Sequence, residues 1–180
     1  MIILFLADGF EEAEAIVPLD LLRRAGAEVK TVSVSGERTV TGSHGIPIVC
    51  DLLGKELTTE GLEMVILPGG MPGTENLANS PLVARYLELA FERRLYVGAI
   101  CAAPSVPGRM GLLSGKRATC FPGFESYLKG AAVTGAPVER DGKLITAKGM
   151  GVAAEFGLCL VEALAGSEEA ARIKAAIQCR

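Results

Sequence analysis

Short apolar runs alternate along this chain with longer stretches in which apolar positions recur every three or four residues. Ile2–Ala7 is the first such run, and it predicts a buried strand ended by Asp8-Gly9. Glu11–Ala25 carries Ala15, Leu19 and Leu22 at helical spacing and stops at Gly26, a natural C-terminal cap. Pro18 lies inside that stretch, so the helix either kinks there or begins there. Glu28–Val34 alternates like a strand, and residues 38–49 read as a hairpin turning at Gly42-Ser43-His44-Gly45. Met64–Leu67 is a further buried strand that ends in Pro68-Gly69-Gly70, followed by a helical pattern over Pro81–Arg93 and a strand over Leu95–Ile100. Cys101 comes next, with Ala102-Ala103-Pro104 predicted to open a helix. Arg117–Cys120, Thr134–Glu139 and Leu144–Ala147 predict strands, the last two separated by a turn at Asp141-Gly142. Helices over Val152–Ala165 and Ser167–Ile177 close the chain.

Strands alternating with helices predict an α/β fold whose mostly parallel sheet is covered on both faces. No repeat, low-complexity segment or linker interrupts the pattern, so residues 1–180 read as one domain. In such sheets the ligand crevice lies beyond the strand C-terminal ends. Asp8-Gly9, Pro68-Gly69-Gly70 and Cys101 all fall at such ends.

Composition narrows the function. The 18 basic and 21 acidic residues leave a net charge of −3, with no basic run or aromatic platform, which gives no case for nucleic acid. The apolar N-terminus lacks a basic leader and breaks at Asp8, too short for a signal peptide or a membrane span, so the cytoplasm is the expected compartment. Five cysteines (Cys50, Cys101, Cys120, Cys159 and Cys179) show no CxxC spacing and no zinc-ligand pattern. In a reducing compartment a reactive one among them is catalytic or redox-sensing rather than a staple.

Cys101 is the candidate. Gly98-Ala-Ile-Cys-Ala-Ala103 sets a thiol on an abrupt strand-to-helix turn among small residues, as in a nucleophile elbow; the alternative is a structural cysteine buried at a strand end. A helix N-terminus beneath the sulfur favours thiolate. Gly69 and Gly70 end a neighbouring strand, and the Gly70 and Ala102 N–H groups are candidate oxyanion donors. Glu11, Glu12 and Glu14 follow the first strand; either they serve the helix dipole, or burial keeps one protonated to bond the thiolate and relay protons. His44 is the sole histidine, and nothing in the sequence brings it to Cys101, so an intrachain Cys-His pair has no support.

Taken in order, Ala7-Asp-Gly-Phe-Glu-Glu-Ala-Glu-Ala15, Asp20-Leu-Leu-Arg-Arg-Ala-Gly26, Val65-Ile-Leu-Pro-Gly-Gly70, Ala99-Ile-Cys-Ala-Ala-Pro104 and Lys148-Gly-Met-Gly151 with Glu155-Phe156 resemble the ThiJ/PfpI superfamily. The branch is that of the parkinsonism-associated deglycase and its bacterial relatives, and the likeness runs nearly end to end. It implies a flavodoxin-like three-layer sandwich acting as a homodimer, with the first helix and the hairpin at or near the interface. It also implies Cys101 as the nucleophilic, oxidation-sensitive cysteine, Glu14 as its buried acid partner, and Gly70 and Ala102 as the backbone donors. Arg24 matches an arginine near the site mouth, and His44 lies near a position that is basic in some relatives. Many relatives carry a His before Pro where this chain has Cys120-Phe121-Pro122. The activity so implied is a cofactor-free and metal-free glyoxalase or deglycase on small carbonyl substrates. The rival is a redox sensor or redox-regulated chaperone using the same thiol, with a cysteine peptidase a weaker third. Cys120 is also expected to approach Cys101 and to resolve a sulfenic acid formed there into a disulfide.

Overall fold

The computed structural model describes residues 1–179. In chain order the elements are β1 (Ile2–Leu6), α1 (Glu12–Arg24), β2 (Val29–Ser33), β3 (Thr39–Thr41), β4 (Pro47–Val49), β5 (Leu52–Leu53), β6 (Met64–Leu67) and α2 (Gly73–Ala78). They continue with α3 (Pro81–Glu92), β7 (Tyr96–Ile100), α4 (Ser105–Arg109), β8 (Arg117–Ala118), β9 (Ala132–Val133), β10 (Val138–Asp141), β11 (Leu144–Ala147), α5 (Ala153–Ala165) and α6 (Ser167–Ala176). Seven strands form the central sheet in the order β10-β11-β7-β6-β1-β2-β5. Only the β10–β11 edge pair is antiparallel.

The period of two in β1 explains why this sheet is sandwiched. Ile2, Leu4 and Leu6 enter one core with Leu22 of α1, Phe156 and Leu160 of α5 and Ile173 of α6. Ile3 and Phe5 enter the other with Leu77 of α2, Val83 and Leu87 of α3 and Val106 of α4. A strand apolar at every position has two buried faces, the signature of a parallel sheet. The chain leaves β1 toward β2 on one side and returns as β6 and β7 on the other. The order therefore reverses between β1 and β6, where doubly wound sheets open their crevice.

Several details depart from the expected elements. Pro18 neither starts nor breaks α1, which runs through it. Gly157 of α5 lies opposite, where a Cβ would stand 2.6 Å from Leu21 Cδ1 and 3.0 Å from Pro18 Cα, so the two helices meet at a glycine notch. The helix expected at Ala102 starts only at Ser105 and lasts five residues, after a run of tight turns. Pro107 lies within it, and Gly108 passes so close to Tyr127 O that a Cβ there would sit 2.5 Å away. The strand expected over Thr134–Glu139 is β10, shifted to Val138–Asp141. Of the segment Arg117–Cys120, only Arg117 and Ala118 pair, in a separate two-stranded ribbon with β9. The edge strand β5 and the short α2 had no clear periodic signal. Among the described residues no helix is long and apolar enough to cross a membrane.

Because α1 carries Glu14, its seat on α5 positions the site as well as the core. Gly157→Val is expected to destabilise the fold by about 1–3 kcal/mol through overpacking against Pro18 and Leu21, read as a lower denaturant midpoint. An unchanged midpoint would show that the notch is slack.

Candidate active site

Three strand ends meet at the rim. The chain leaves β7 at Cys101, whose φ of 64° places a non-glycine residue in the left-handed region. Such backbone costs on the order of 1–3 kcal/mol and persists only where the surroundings over-determine it. Here Cys101 N–H donates to Ala147 O at 2.8 Å, and Cys101 O accepts from Phe121 N–H at 2.8 Å. The elbow is thus pinned from β11 and from the segment after β8, and its half-buried sulfur stands above the sheet end.

Glu14 comes from the first turn of α1. Its backbone N–H donates to the capping carboxylate of Glu11 at 2.7 Å, which starts the helix and turns the Glu14 side chain inward. The residue is only 1% exposed. Its carboxyl accepts from Gly69 N–H at 3.0 Å and from the Met150 N–H, and it shares a hydrogen bond with the Cys101 thiol. Gly69 makes that meeting possible. A Cβ there would lie 2.5 Å from Glu14 Oε2 and 2.6 Å from Cys101 Cβ. Gly70, at φ 91°, approaches the backbone of residues 9–11 more closely than any side chain permits. The N–H groups of Ala102 and Gly70 both point at the Cys101 sulfur.

The electrostatics of the pair follow from burial. Desolvation pushes the Glu14 carboxyl up to about 7, against the hydrogen bonds from Cys101, Gly69 and Met150. Burial, then the charge of an ionised Glu14, push the Cys101 thiol up to about 12, against the pull of the Ala102 and Gly70 amides. Thiolate stabilisation by a helix N-terminus, expected from the sequence, is not what this structure provides, because the helix begins four residues later and is short. An ionised sulfur belongs instead with a protonated Glu14, which donates to it and no longer repels it. One proton, two positions: the geometry couples the acid to the nucleophile.

The other expected residues fall at different distances from this pair. Phe121 is half-exposed and packs over Gly149, flanking a cavity of about 300 Å³ with Pro122, Lys148, Gly151 and Val152. Cys120 is buried in the core on the α2–α4 side of the sheet, whereas Cys101 packs against the other core. The backbone nonetheless brings the two residues near each other, since Phe121, next to Cys120, donates its N–H to Cys101 O at 2.8 Å. Arg24 pairs with Asp20 at 2.6 Å and lies ten residues beyond Glu14, roughly 15 Å along α1. Within one chain it does not reach the thiol.

His44 is bound elsewhere. Its Nδ1 lies 2.9 Å from Glu12 Oε2, and its N–H donates to Glu12 Oε1 at 2.7 Å. Burial opposes ionisation of Glu12, but these bonds and the Ile46 N–H hold its carboxyl down at about 2, and Glu12 in turn raises the His44 pKa. Glu11, Glu12 and His44 offer ligand atoms within 4.8 Å of one another. Those atoms already cap α1 and clamp the β3–β4 hairpin to it, which accounts for the cluster. The Gly149-Met150 backbone was not singled out as part of the site. Its one signal was Lys148-Gly-Met-Gly following a strand on the same rim.

Residues 1–163 match the model of the DJ-1/PfpI family, and the chain belongs to that family. It is 42% identical over 170 residues to protein DJ-1 homolog B of Arabidopsis thaliana, covering 93% of this chain but only 39% of that protein. It is 34% identical over 176 residues to glutathione-independent glyoxalase DJR-1.2 of Caenorhabditis elegans, covering 93% of this chain and 90% of the relative. Among solved structures, a mutant of a DJ-1 superfamily protein from Salmonella typhimurium superposes with a TM-score of 0.94 at 35% identity, covering 98% and 97% of the two chains.

The Glu14 shift has a measurable sign. A carboxyl raised from 4.5 unfolded to about 7 folded gives stability that is complete below pH 4.5 and lost as pH rises through 7. Wild type should lose up to ~3 kcal/mol over that window, a component absent from Glu14→Gln. Denaturant titrations of both proteins at pH 5 and pH 8 test this, and parallel pH slopes would exclude a buried neutral Glu14.

Proposed function

We propose that the chain is a cofactor-independent glyoxalase acting on small α-dicarbonyls such as methylglyoxal and glyoxal. The observation that carries this reading is the Glu14–Cys101 hydrogen bond inside a rim of backbone N–H donors. The glyoxalase name of the nematode relative supports it. The thiolate adds to the aldehyde carbon, and protonated Glu14 delivers its proton to the new alkoxide, leaving a neutral hemithioacetal and a carboxylate. That carboxylate removes the proton from the former aldehyde carbon and returns it to the adjacent carbon, while the hydroxyl proton of the hemithioacetal passes to the neighbouring oxygen by way of the enediol. The product is a hydroxyacyl thioester, formed with no external oxidant. Water cleaves the thioester to lactate or glycolate and frees the thiol. The Gly70 and Ala102 amides stabilise negative charge on sulfur at the start and on oxygen during addition and hydrolysis.

Deglycation of amine or thiol adducts uses the same first atoms and differs only in the leaving group. The peptidase alternative gains nothing here, because the sole histidine is committed to Glu12. Redox sensing by Cys101 remains the competing use of the thiol. It is favoured by the sulfur's partial exposure, and the separate burial of Cys120 favours oxidation to sulfinate over an internal disulfide. Lactate release from methylglyoxal should fall at least 100-fold in Cys101→Ser and in Glu14→Gln while both stay folded. Equal rates in wild type and Cys101→Ser would end the proposal and leave the redox reading.

We also propose that the working form is a homodimer, as the family resemblance implies. Ile16, Ile46 and Met150 are exposed although each adjoins the start of α1. Ile46 N–H reaches Glu12 and Met150 N–H reaches Glu14, so these two flank the first turn of α1, and Ile16 follows within the next turn. A second copy covering this patch removes apolar surface from water and closes the rim. Ile46→Asp should convert a dimer to a monomer in analytical ultracentrifugation; a monomeric wild type would refute the assembly.

A further inference from the structure

The sheet has a second opening at its other pole. Phe91, Arg94, Leu95, Val97, Lys116, Asp141, Gly142, Lys143 and Leu144 enclose a cavity of about 350 Å³, within the range of small-ligand pockets. It lies before the N-terminal end of β7, whereas Cys101 follows the C-terminal end, so the five-residue strand separates them by roughly 16 Å. Nothing in the glyoxalase chemistry uses it.

Its charge is one-sided. Arg94, Lys116 and Lys143 come from three separate segments: the end of α3, the loop before β8 and the β10–β11 turn. Among the described residues none of the three has a carboxylate partner. Lys143 Nζ lies 3.6 Å above the Tyr96 ring, which packs on the opposite sheet face from Val97 and Leu144, so its charge is turned away from the cavity wall and Arg94 and Lys116 are the cations that serve the cavity. The one acid in the lining, Asp141, accepts from Arg117 N–H at 2.8 Å. Phe91, Leu95, Val97 and Leu144 form an apolar wall beside these charges.

The backbone at Arg94 is a separate observation. Leu95 N–H donates to Ala90 O at 2.8 Å and Arg94 N–H to Phe91 O at 3.2 Å, the paired bonds that close a helix through a left-handed residue. That residue is usually glycine, yet here it is an arginine at φ 54°. A cation complementing the α3 dipole explains a basic residue near the helix end, but Arg93 supplies that charge one position earlier without left-handed backbone. Arg94 adds a side chain on left-handed backbone, and its particular gain is its place in the cavity lining.

We infer that this cavity is a binding site for a small organic phosphate monoester carrying an apolar or aryl group. Arg94 and Lys116 outnumber the one carboxylate, whose Oδ2 already accepts from the Arg117 N–H, and suit a phosphate group, while the apolar wall suits its organic part. The probe is phenyl phosphate, titrated into the full-length protein by calorimetry, with inorganic phosphate and phenol as comparisons. Saturable binding in the submillimolar range is expected, at least tenfold weaker for either comparison, weakened by salt and unchanged in Cys101→Ser. Arg94→Gly supplies opposing signs: binding should fall at least tenfold while the denaturation midpoint rises, because glycine relieves the left-handed backbone. Lys116→Gln should weaken binding without that gain in stability. Absence of saturation at millimolar phenyl phosphate, or equal affinity in Arg94→Gly, overturns the site.

Discussion

A buried carboxyl and a thiol on a left-handed elbow share one hydrogen bond, and the local architecture of this protein is arranged around that contact. Glu14 would be ionised in water near neutral pH; here its carboxyl is raised to about 7 because the α1 N-terminus carries it into a nearly closed space. Cys101 would not hold its backbone geometry alone; bonds from Ala147 and Phe121 hold it there. Gly69 leaves out the one side-chain carbon that would separate the two groups. Each component is costly in isolation, and the three are mutually dependent.

That dependence explains why the fold and the site are hard to separate energetically. The seat of α1 on α5, through the Gly157 notch and Pro18, sets the height of Glu14 above the sheet. The hairpin clamp through Glu12 and His44 holds the same helix end from the other side. Displacing α1 by a fraction of an ångström breaks a hydrogen bond while leaving the two cores largely intact. The Glu14–Cys101 contact is therefore more sensitive than the two cores to changes along this helix.

The two poles of the sheet contrast in how they hold charge. At the thiol pole, burial and backbone dipoles control a single proton. At the opposite pole, Arg94 and Lys116 come from separate segments and stand without ion-pair partners among the described residues beside an apolar wall. The first arrangement suits proton transfer at a small reactive carbon, and the second suits recognition of an anion.

Much of this was readable from residue order. Strand-helix alternation, the two-faced burial of Ile2–Leu6 and glycine at strand ends determine a parallel sheet with a rim of functional loops, because burial on two faces demands unbroken apolar runs. Cys101 among small residues was legible as an elbow for the same local reason. The choice of Glu14 over Glu11 and Glu12 needed the family resemblance, since all three share one helical turn and only tertiary packing decides which is buried. The direction of the thiol's pKa, the separation of Cys120 into the opposite core, the capture of His44 by Glu12 and the role of the Met150 N–H were decided by the folded structure alone. Periodicity records which face a residue takes within its own element. Desolvation and hydrogen bonding between elements distant in sequence exist only once those elements have met.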